Sequence, residues 1–370
     1  MGAQANEDGR GPDPGARPAA ESASPAPGAS PAAPAARSGG GGSRGRLVGS
    51  VLTMVLAALF IYLAVRHVRF DDAWHALRTS NYWWLLPAFA AFVAATMMRV
   101  LRWRSLFAPG RRPPLGAVGA ATMIGYLFNN IMPARAGEAA RVVALTQRAG
   151  TPPAEIVGTV VVERAYDVLS ILIVFFCAAP WLPAVGWFGA AAVFAGVTAA
   201  LLGAIIWVLA VHGDRPLRFV LRPLARLPRL SAERVERAGV ELAAGLSGLR
   251  DRRVALEALV WSIGIWLMSA FWAWLVLLAF QPHLGFDAGV LVIVAIGLAM
   301  IIPAPPAAVG VFEAAGVLAL KAYGISQTDA LPFAIVLHVV NFVPFILAGM
   351  LTLHLASRRP RRLAGAATYT

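Results

Sequence analysis

Long apolar runs, separated by short clusters of arginine, dominate the sequence between residues 47 and 357. Six runs are long enough for a helix to cross the roughly 30 Å hydrocarbon core of a bilayer. They cover residues 47–65, 82–98, 155–177, 185–211, 254–280 and 330–356. This pattern predicts an all-α, polytopic integral membrane protein with six full spans.

Two further apolar stretches are interrupted by proline and glycine. The first comprises residues 114–132 and 137–149, and the second residues 286–302 and 309–322. Because hydrocarbon offers no hydrogen-bond partners, a backbone break there is stable only inside protein or beside a water-filled cavity. We predict two broken hairpins, each either re-entrant or fully crossing. The alternative for the first is a cytoplasmic loop followed by an amphipathic surface helix.

The two interrupted stretches resemble each other, which predicts an internal repeat. Residues 138–145 match residues 313–320 at six of eight positions, and each half has the order span, span, broken hairpin, span. Charge bias directs the first hairpin into the membrane from the cytoplasm and the second from outside. Transporters built from such inverted repeats bind substrate near the midplane, between the interrupted helices. Chance similarity between alanine-rich segments is the alternative explanation.

The composition agrees with a membrane protein. Of 370 residues, 58% are hydrophobic and 14% charged, with a mean hydropathy of +0.67, a balance that soluble domains rarely show. The formal net charge of +13 comes from arginines at the ends of apolar runs, as the positive-inside rule predicts, so we expect no nucleic-acid partner. The single Cys177 excludes an internal disulfide. The sequence has no metal or nucleotide motif, so we expect no cofactor.

Basic and low-complexity segments flank and divide the membrane domain, residues 47–357. Residues 1–46 consist mostly of Gly, Ala, Pro and Ser and are predicted to be a disordered cytoplasmic tail. Residues 213–253 are basic and amphipathic, which predicts one or two cytoplasmic helices on the membrane surface. Residues 358–370 form a basic cytoplasmic tail, whereas the mixed charges of residues 66–81 are assigned to an external loop. Five arginines after the second span are expected to mark the cytoplasm: Arg99, Arg102, Arg104, Arg111 and Arg112.

Charges within the membrane domain are the candidate functional residues, since a charge in hydrocarbon needs a partner. Glu163 and Asp167 lie four residues apart on one helix face, and Arg164 can reach Asp167. We expect Arg135 or Arg141 to approach this group. A static ion-pair lattice that only fixes helix packing is the alternative.

The start of the helix after the first break is a candidate phosphate site. Free N–H groups at Gly137 and the positive end of the helix dipole would favour an anion. Asn129 and Asn130 add hydrogen-bond donors, and Glu138 balances the remaining arginine.

The second half supplies a smaller set of polar candidates. Glu313 follows the second break and His338 lies 25 residues further on, as Glu163 lies 25 residues beyond Glu138. His338 and Asn341, three residues apart on the last span, are expected to line the same cavity. A buried histidine that is only hydrogen-bonded within the packing is the alternative for His338.

Three motifs occur in a characteristic order: Asn130-x-x-Pro133-x-Arg135-x-Gly137-Glu138-x-x-Arg141, Glu163-Arg164-x-x-Asp167, and Pro303…Gly310-x-x-Glu313. With them, residues 47–357 resemble the flippase-like membrane domain of the lysylphosphatidylglycerol synthase family. The resemblance implies a multi-pass protein of the bacterial or archaeal cytoplasmic membrane. It also implies that the protein moves, or helps to move, a phospholipid or glycolipid between leaflets.

The sequence departs from this family pattern in two places. It ends soon after the last predicted span, without the soluble aminoacyl-transfer domain of the full synthases, so we do not expect lysyl transfer from tRNA. It also has Ala307-Ala308 where the second break of the family is usually glycine-rich, which brings the flexibility of that hairpin into question.

We therefore predict translocation of a phospholipid or a lipid-linked glycan headgroup, with an anionic phospholipid or polyprenyl-linked lipid as the partner in the membrane. Arg135 and Arg141 would hold the phosphate. Glu138, Glu163 and Asp167 would hold the arginines or an amino group, and the second-half residues would form the opposite side of the site. The rival functions are an intramembrane transferase that modifies a lipid headgroup and a structural or regulatory membrane partner.

Overall fold

The computed structural model describes residues 70–132, 136–183, 232–246, 251–300 and 305–357, with isolated positions between 189 and 204. These residues form helices and short connections, and no strand occurs in the described part of the chain. The fold class is therefore all-α, as predicted. The helices are α1 Phe70–Thr79, α2 Leu85–Ser105, α3 Leu115–Ile131, α4 Ala136–Ala149, α5 Pro153–Ala178, α6 Ala232–Leu246, α7 Arg252–Leu278, α8 Phe286–Ala299, α9 Val311–Lys321 and α10 Gln327–Ser357.

Three described helices are long and apolar enough to cross a membrane: α2 with the turn that precedes it (Tyr82–Ser105), α7 and α10. Helix α5 has 26 residues, which gives it a length of about 39 Å, but charged residues interrupt its apolar surface. The protein is thus a multi-pass membrane protein. The predicted spans at 47–65 and 185–211 lie outside the described residues, apart from isolated helical positions in the second.

Helix α2 corrects the predicted boundary at Met98. It continues to Ser105, so Arg99, Arg102 and Arg104 belong to the helix and not to a cytoplasmic loop. The predicted boundary is too early because the apolar pattern ends where the arginines begin. The pattern does not show that these arginines have hydrogen-bond partners elsewhere in the chain. All three guanidinium groups donate hydrogen bonds within the protein, which allows the helix to continue.

Residues 66–81 are also corrected, because α1 occupies most of a segment predicted to be a loop. Asp71 and Asp72 lie in its first turn and Arg78 in its last, an order that the helix dipole favours. The alternation of charges that suggested a loop belongs to the polar face of this short amphipathic helix, which packs against α10.

Both interrupted stretches form helical hairpins, as predicted. Helices α3 and α4 pack together across the first break, and α8 and α9 across the second. The first arm of each hairpin also contacts a long helix of the other half, α3 with α10 and α8 with α5, while α2 packs along α7. The helix contacts are therefore similar when the two halves are exchanged.

The basic segment predicted over residues 213–253 contains one described amphipathic helix, α6. It packs on α5 through glycines that bring the two backbones close together. A methyl group on Gly158 would lie 2.7 Å from the carbonyl oxygen of Leu242, and one on Gly245 would overlap the backbone of Glu155. Helix α6 is thus docked on protein, and the remainder of residues 213–250 lies outside the described residues.

Candidate functional site

A cavity of about 330 Å³ lies between the two hairpin breaks and the long helices. Met132 and Glu138 border it at the first break, and Pro305 and Ala308 at the second. Its polar lining consists of Thr96, Arg99, Tyr126, Asn129, Asn130, Glu138, Arg164, Asp167, Ser269 and Asn341. Its aromatic lining consists of Phe92, Trp266, Trp272, Phe312, Phe342 and Phe345, with aliphatic residues from α5 and α8 completing the wall.

Beside this cavity, the carboxylates of α5 bind arginines from three helices. Glu163 binds Arg141 through Oε2 at 2.5 Å and Arg102 through Oε1 at 3.1 Å. Asp167 binds Arg102 through Oδ1 at 2.5 Å and Arg164 through Oδ2 at 3.3 Å. The predicted group on α5 is therefore joined to α4 by Arg141 and to α2 by Arg102.

Glu138 closes this group into a network. Its Oε1 lies 2.5 Å from Arg164 Nη2, and its Oε2 lies 3.5 Å from Arg141 Nη1. The network thus contains three arginines and three carboxylates, and their formal charges balance. We call it the ion-pair network: Arg102, Arg141, Arg164, Glu138, Glu163 and Asp167.

The ion-pair network has a buried part and a part on the cavity wall. Arg102, Arg141 and Glu163 are buried and do not line the cavity. The guanidinium of Arg141 also stacks on the ring of Trp103, 3.8 Å from its centroid, a cation–π contact that holds it in place. Glu138, Asp167 and Arg164 face the cavity, and 44% of the Arg164 side chain is exposed.

The start of α4 differs from the predicted phosphate site. Gly137 donates its N–H to Asn129 Oδ1 at 2.9 Å, so this N–H is not free for an anion. A methyl group on Gly137 would overlap the carbonyl oxygen of Gly125, which shows how closely the two arms approach. Asn130 makes a long contact of 3.5 Å to the carbonyl of Phe342. The predicted phosphate ligand Arg135 lies outside the described residues.

In the second half, Glu313 and His338 bind each other. Glu313 Oε1 contacts His338 Nδ1, while Glu313 Oε2 accepts the N–H of Gly310 at 2.7 Å. The imidazole packs against Phe342, with 4.1 Å between ring centroids. Neither Glu313 nor His338 lines the cavity, whereas Asn341 does. The hydrogen-bonded pair corresponds to the packing alternative for His338.

A comparison with known protein families assigns the chain. Residues 48–349 match the lysylphosphatidylglycerol synthase TM region. The chain belongs to this family. The matched residues include every residue that lines the cavity, so the cavity is part of the region that defines the family. Family membership indicates a membrane lipid-related function.

The chain is also similar to the glycosyltransferase AglD of Haloferax volcanii. The two are 25% identical over 340 aligned positions, and the alignment covers 82% of this chain and 54% of the relative. The chain therefore spans about half the length of this relative.

Within this family member, the structure adds residues that the sequence pattern had assigned to a cytoplasmic cluster. Arg102 is fully buried in the ion-pair network, and Arg99 lines the cavity. Arg99 donates to Ser269 Oγ at 3.0 Å, and no carboxylate of the described residues forms an ion pair with it. The sequence offers one indication of this role, the spacing of three residues between Arg99 and Arg102. This spacing places both arginines on one helix face if the helix continues past Met98.

Proposed function

We propose that this protein moves an amphiphilic lipid, either a phospholipid or a lipid-linked glycan, across the cytoplasmic membrane by way of the cavity. The observation that carries the proposal is that one cavity, within the membrane domain, joins a charged wall to an aromatic wall. A lipid is divided in the same way, because its headgroup is polar or charged and its chains are apolar.

The charged wall matches a headgroup that bears phosphate. Arg99 and Arg164 supply guanidinium groups, which bind phosphate oxygens through paired N–H donors. Glu138 and Asp167 accept hydrogen bonds and would also accept them from an amino or hydroxyl group of the headgroup. At about 330 Å³, the cavity holds a headgroup, while the chains would extend into the bilayer.

The ion-pair network divides into two roles in this proposal. Its buried part, Arg102, Arg141 and Glu163, keeps α2, α4 and α5 together, since stranding a buried charge is costly. On the cavity wall, Arg164 links α5 to Glu138 of the first hairpin. A phosphate that competes for Arg164 would loosen this link and allow the hairpin to move.

The proposed topology has six full spans, two broken hairpins and both termini in the cytoplasm. The helix contacts, which remain similar when the halves are exchanged, support a repeat. With the halves inverted, the hairpins enter from opposite sides and the cavity between their breaks lies near the midplane, accessible alternately from each side. Reporters at residue 230 and after Arg362 should both be cytoplasmic, and an external signal at either position contradicts this topology.

The proposal is tested by translocation of fluorescent phosphatidylglycerol in proteoliposomes. The variant Asn341→Trp fills the cavity, whereas Val343→Trp adds the same ring at an exposed position of α10. We expect the wild type and Val343→Trp to move lipid and Asn341→Trp to lose most of this activity. Equal rates with and without the wild-type protein would refute the proposal.

A second candidate is a transferase that modifies a lipid headgroup. It is favoured by the name of the relative, a glycosyltransferase, of which this chain spans about half. Mass spectrometry of lipids incubated with the purified protein distinguishes the two. A product of changed mass supports the transferase, whereas translocation of unchanged lipid supports the first candidate.

A further inference from the structure

Two arginines of α2 face α7 in the same way. Arg99 donates to Ser269 Oγ at 3.0 Å, and Arg102 donates to Ser262 Oγ at 2.8 Å. Each serine hydroxyl in turn donates to the carbonyl four residues earlier in α7, at 2.7 Å in both cases. The two serines therefore act as acceptors that fix the position of a guanidinium group.

The two arginines differ in their counter-charges. Arg102 binds Glu163 and Asp167, and its charge is balanced within the ion-pair network. Arg99 has no carboxylate partner among the described residues, although it lies on a membrane-spanning helix and lines the cavity. A cation in this position is stabilised by an anion, which the cavity can admit.

Two residues of the same wall carry further hydrogen-bond donors. Trp266 and Trp272 are three residues before and after Ser269, so the three side chains follow one side of α7. Both tryptophans line the cavity, and their indole N–H groups are buried without a hydrogen-bond partner in the described structure. Buried donors are normally paired, and an indole N–H can only donate.

We propose that Arg99, Trp266 and Trp272 bind the phosphodiester of a lipid headgroup, with Ser269 as the residue that positions Arg99. This inference rests on the proposed function, in that the cavity holds a lipid. A phosphodiester carries the single negative charge that Arg99 requires. Its two non-bridging oxygens match the guanidinium fork, and each keeps lone pairs that can also accept an indole N–H. Its ester links continue towards the aromatic wall at Phe92 and Phe345.

Inorganic phosphate and a glycerophosphate offer the same oxygens without the apolar chains. They would meet the donors of the site but gain nothing from the aromatic wall. The proposal is therefore specific to a phosphodiester that is part of a lipid. Competition between the lipid and the free phosphate compounds distinguishes the two kinds of ligand.

The test measures binding to the purified full-length protein by native mass spectrometry and by thermal stabilisation. The probes are phosphatidylglycerol, diacylglycerol, inorganic phosphate and glycerol 3-phosphate. Wild-type protein should prefer phosphatidylglycerol to diacylglycerol, and Arg99→Gln should bind phosphatidylglycerol ~10- to 100-fold more weakly, as expected for loss of a charge-assisted hydrogen bond. Arg99→Lys, which keeps the charge but not the fork, should be intermediate.

Matched variants separate the site from a general loss of charge. Arg148→Gln removes an exposed arginine near the end of α4 and should bind as the wild type does. Ser262→Ala alters the acceptor of Arg102 and should also leave binding unchanged, whereas Ser269→Ala should weaken it several-fold. Trp272→Phe keeps an aromatic ring at this position but removes the indole N–H together with the pyrrole ring, so it carries the test if Arg99→Gln does not fold.

The outcomes distinguish this inference from the proposed function. Unchanged phosphatidylglycerol binding in both Arg99→Gln and Trp272→Phe overturns the inference, even if the wild type translocates lipid. If equimolar inorganic phosphate displaces phosphatidylglycerol, the site does not require a lipid, and the assignment to a lipid phosphodiester is wrong. Binding that depends on Arg99, in a protein that moves no lipid, supports the inference and refutes translocation.

Discussion

The two broken hairpins have the same helical plan but different chemistry. In the first, Glu138 of α4 binds Arg164 on the following long helix, 26 residues later. In the second, Glu313 of α9 binds His338 on the following long helix, 25 residues later. Each hairpin is thus linked to the next long helix, and only the first half makes this link with arginine.

The breaks themselves are closed in different ways. In the first, the N–H of Gly137 is bound by Asn129 and the arms approach as closely as glycine permits. Phe312 holds the position equivalent to Gly137, immediately before the matched glutamate, and it is buried beside the cavity. The arms of the second hairpin are joined at their far ends instead, where Tyr323 donates to Asp287 at 2.6 Å. The first half therefore supplies the charged wall, and the second half supplies much of the aromatic wall.

The largest effect is expected from removing a buried charge in the first half. Arg141→Gln leaves Glu163 with one of its two arginines and removes the stack on Trp103. Breaking a buried pair typically costs ~3–5 kcal/mol, so the melting temperature should fall sharply. The double variant with Glu163→Gln should recover much of the loss, because no charge is then stranded. A melting temperature of Arg141→Gln equal to that of Arg148→Gln would show that the network does not stabilise the fold.

The next effect concerns the contact between the arms of the first hairpin. Gly137→Ala places a methyl group on the carbonyl oxygen of Gly125, so the arms must separate and the bond to Asn129 must lengthen. We expect the free energy of unfolding to fall by about 3 kcal/mol, at the upper end of the range for overpacking. Thermal unfolding in detergent measures it. The matched control is Gly116→Ala in α3. The added methyl group there would have no neighbouring atom within 4 Å, so this variant should not be destabilised. Equal stability of the two variants would contradict the close approach.

A smaller effect is expected from the glutamate of the second hairpin. Glu313→Gln retains an oxygen for the N–H of Gly310 and an amide NH₂ that can donate to the imidazole of His338. The cost should be about 1 kcal/mol, that of a weakened hydrogen bond. A loss as large as that of Arg141→Gln would mean that the second half also depends on a buried charge pair, and the contrast between the halves would fail.

Much of this plan could be predicted from the sequence. The arms α3, α4, α8 and α9 begin and end within about three residues of their predicted limits, because proline, glycine and the ends of apolar runs determine them. The approach of Arg141 to Glu163 could be predicted since both charges lie in apolar surroundings and need partners.

The partners of Arg99 and Arg102 could not be predicted in this way, because their spacing of three residues does not reveal which residues they contact. Their serine acceptors on α7 lie 170 and 160 residues away in the chain, and Asp167 lies 65 residues from Arg102. The same two arginines satisfy the pattern of a cytoplasmic flank, so hydropathy alone ends the span before them. Helix packing decides which arginines have partners inside the protein. It therefore also decides which of them line the cavity.

The smallest effect is expected at the tip of the second hairpin, and it has the opposite sign. Ala307 and Ala308 both have a φ of 56°, a left-handed conformation that costs an L-residue roughly 1–2 kcal/mol. Glycine removes this strain but adds conformational entropy to the unfolded chain, so Ala308→Gly should stabilise the protein by at most ~1 kcal/mol. Ala314→Gly, within α9, should instead destabilise by about that amount, since helical alanine is favoured there. Thermal unfolding of the two variants measures the difference in sign. Equal destabilisation by both would show that the tip does not hold the strain, and that alanine there is as relaxed as in a helix.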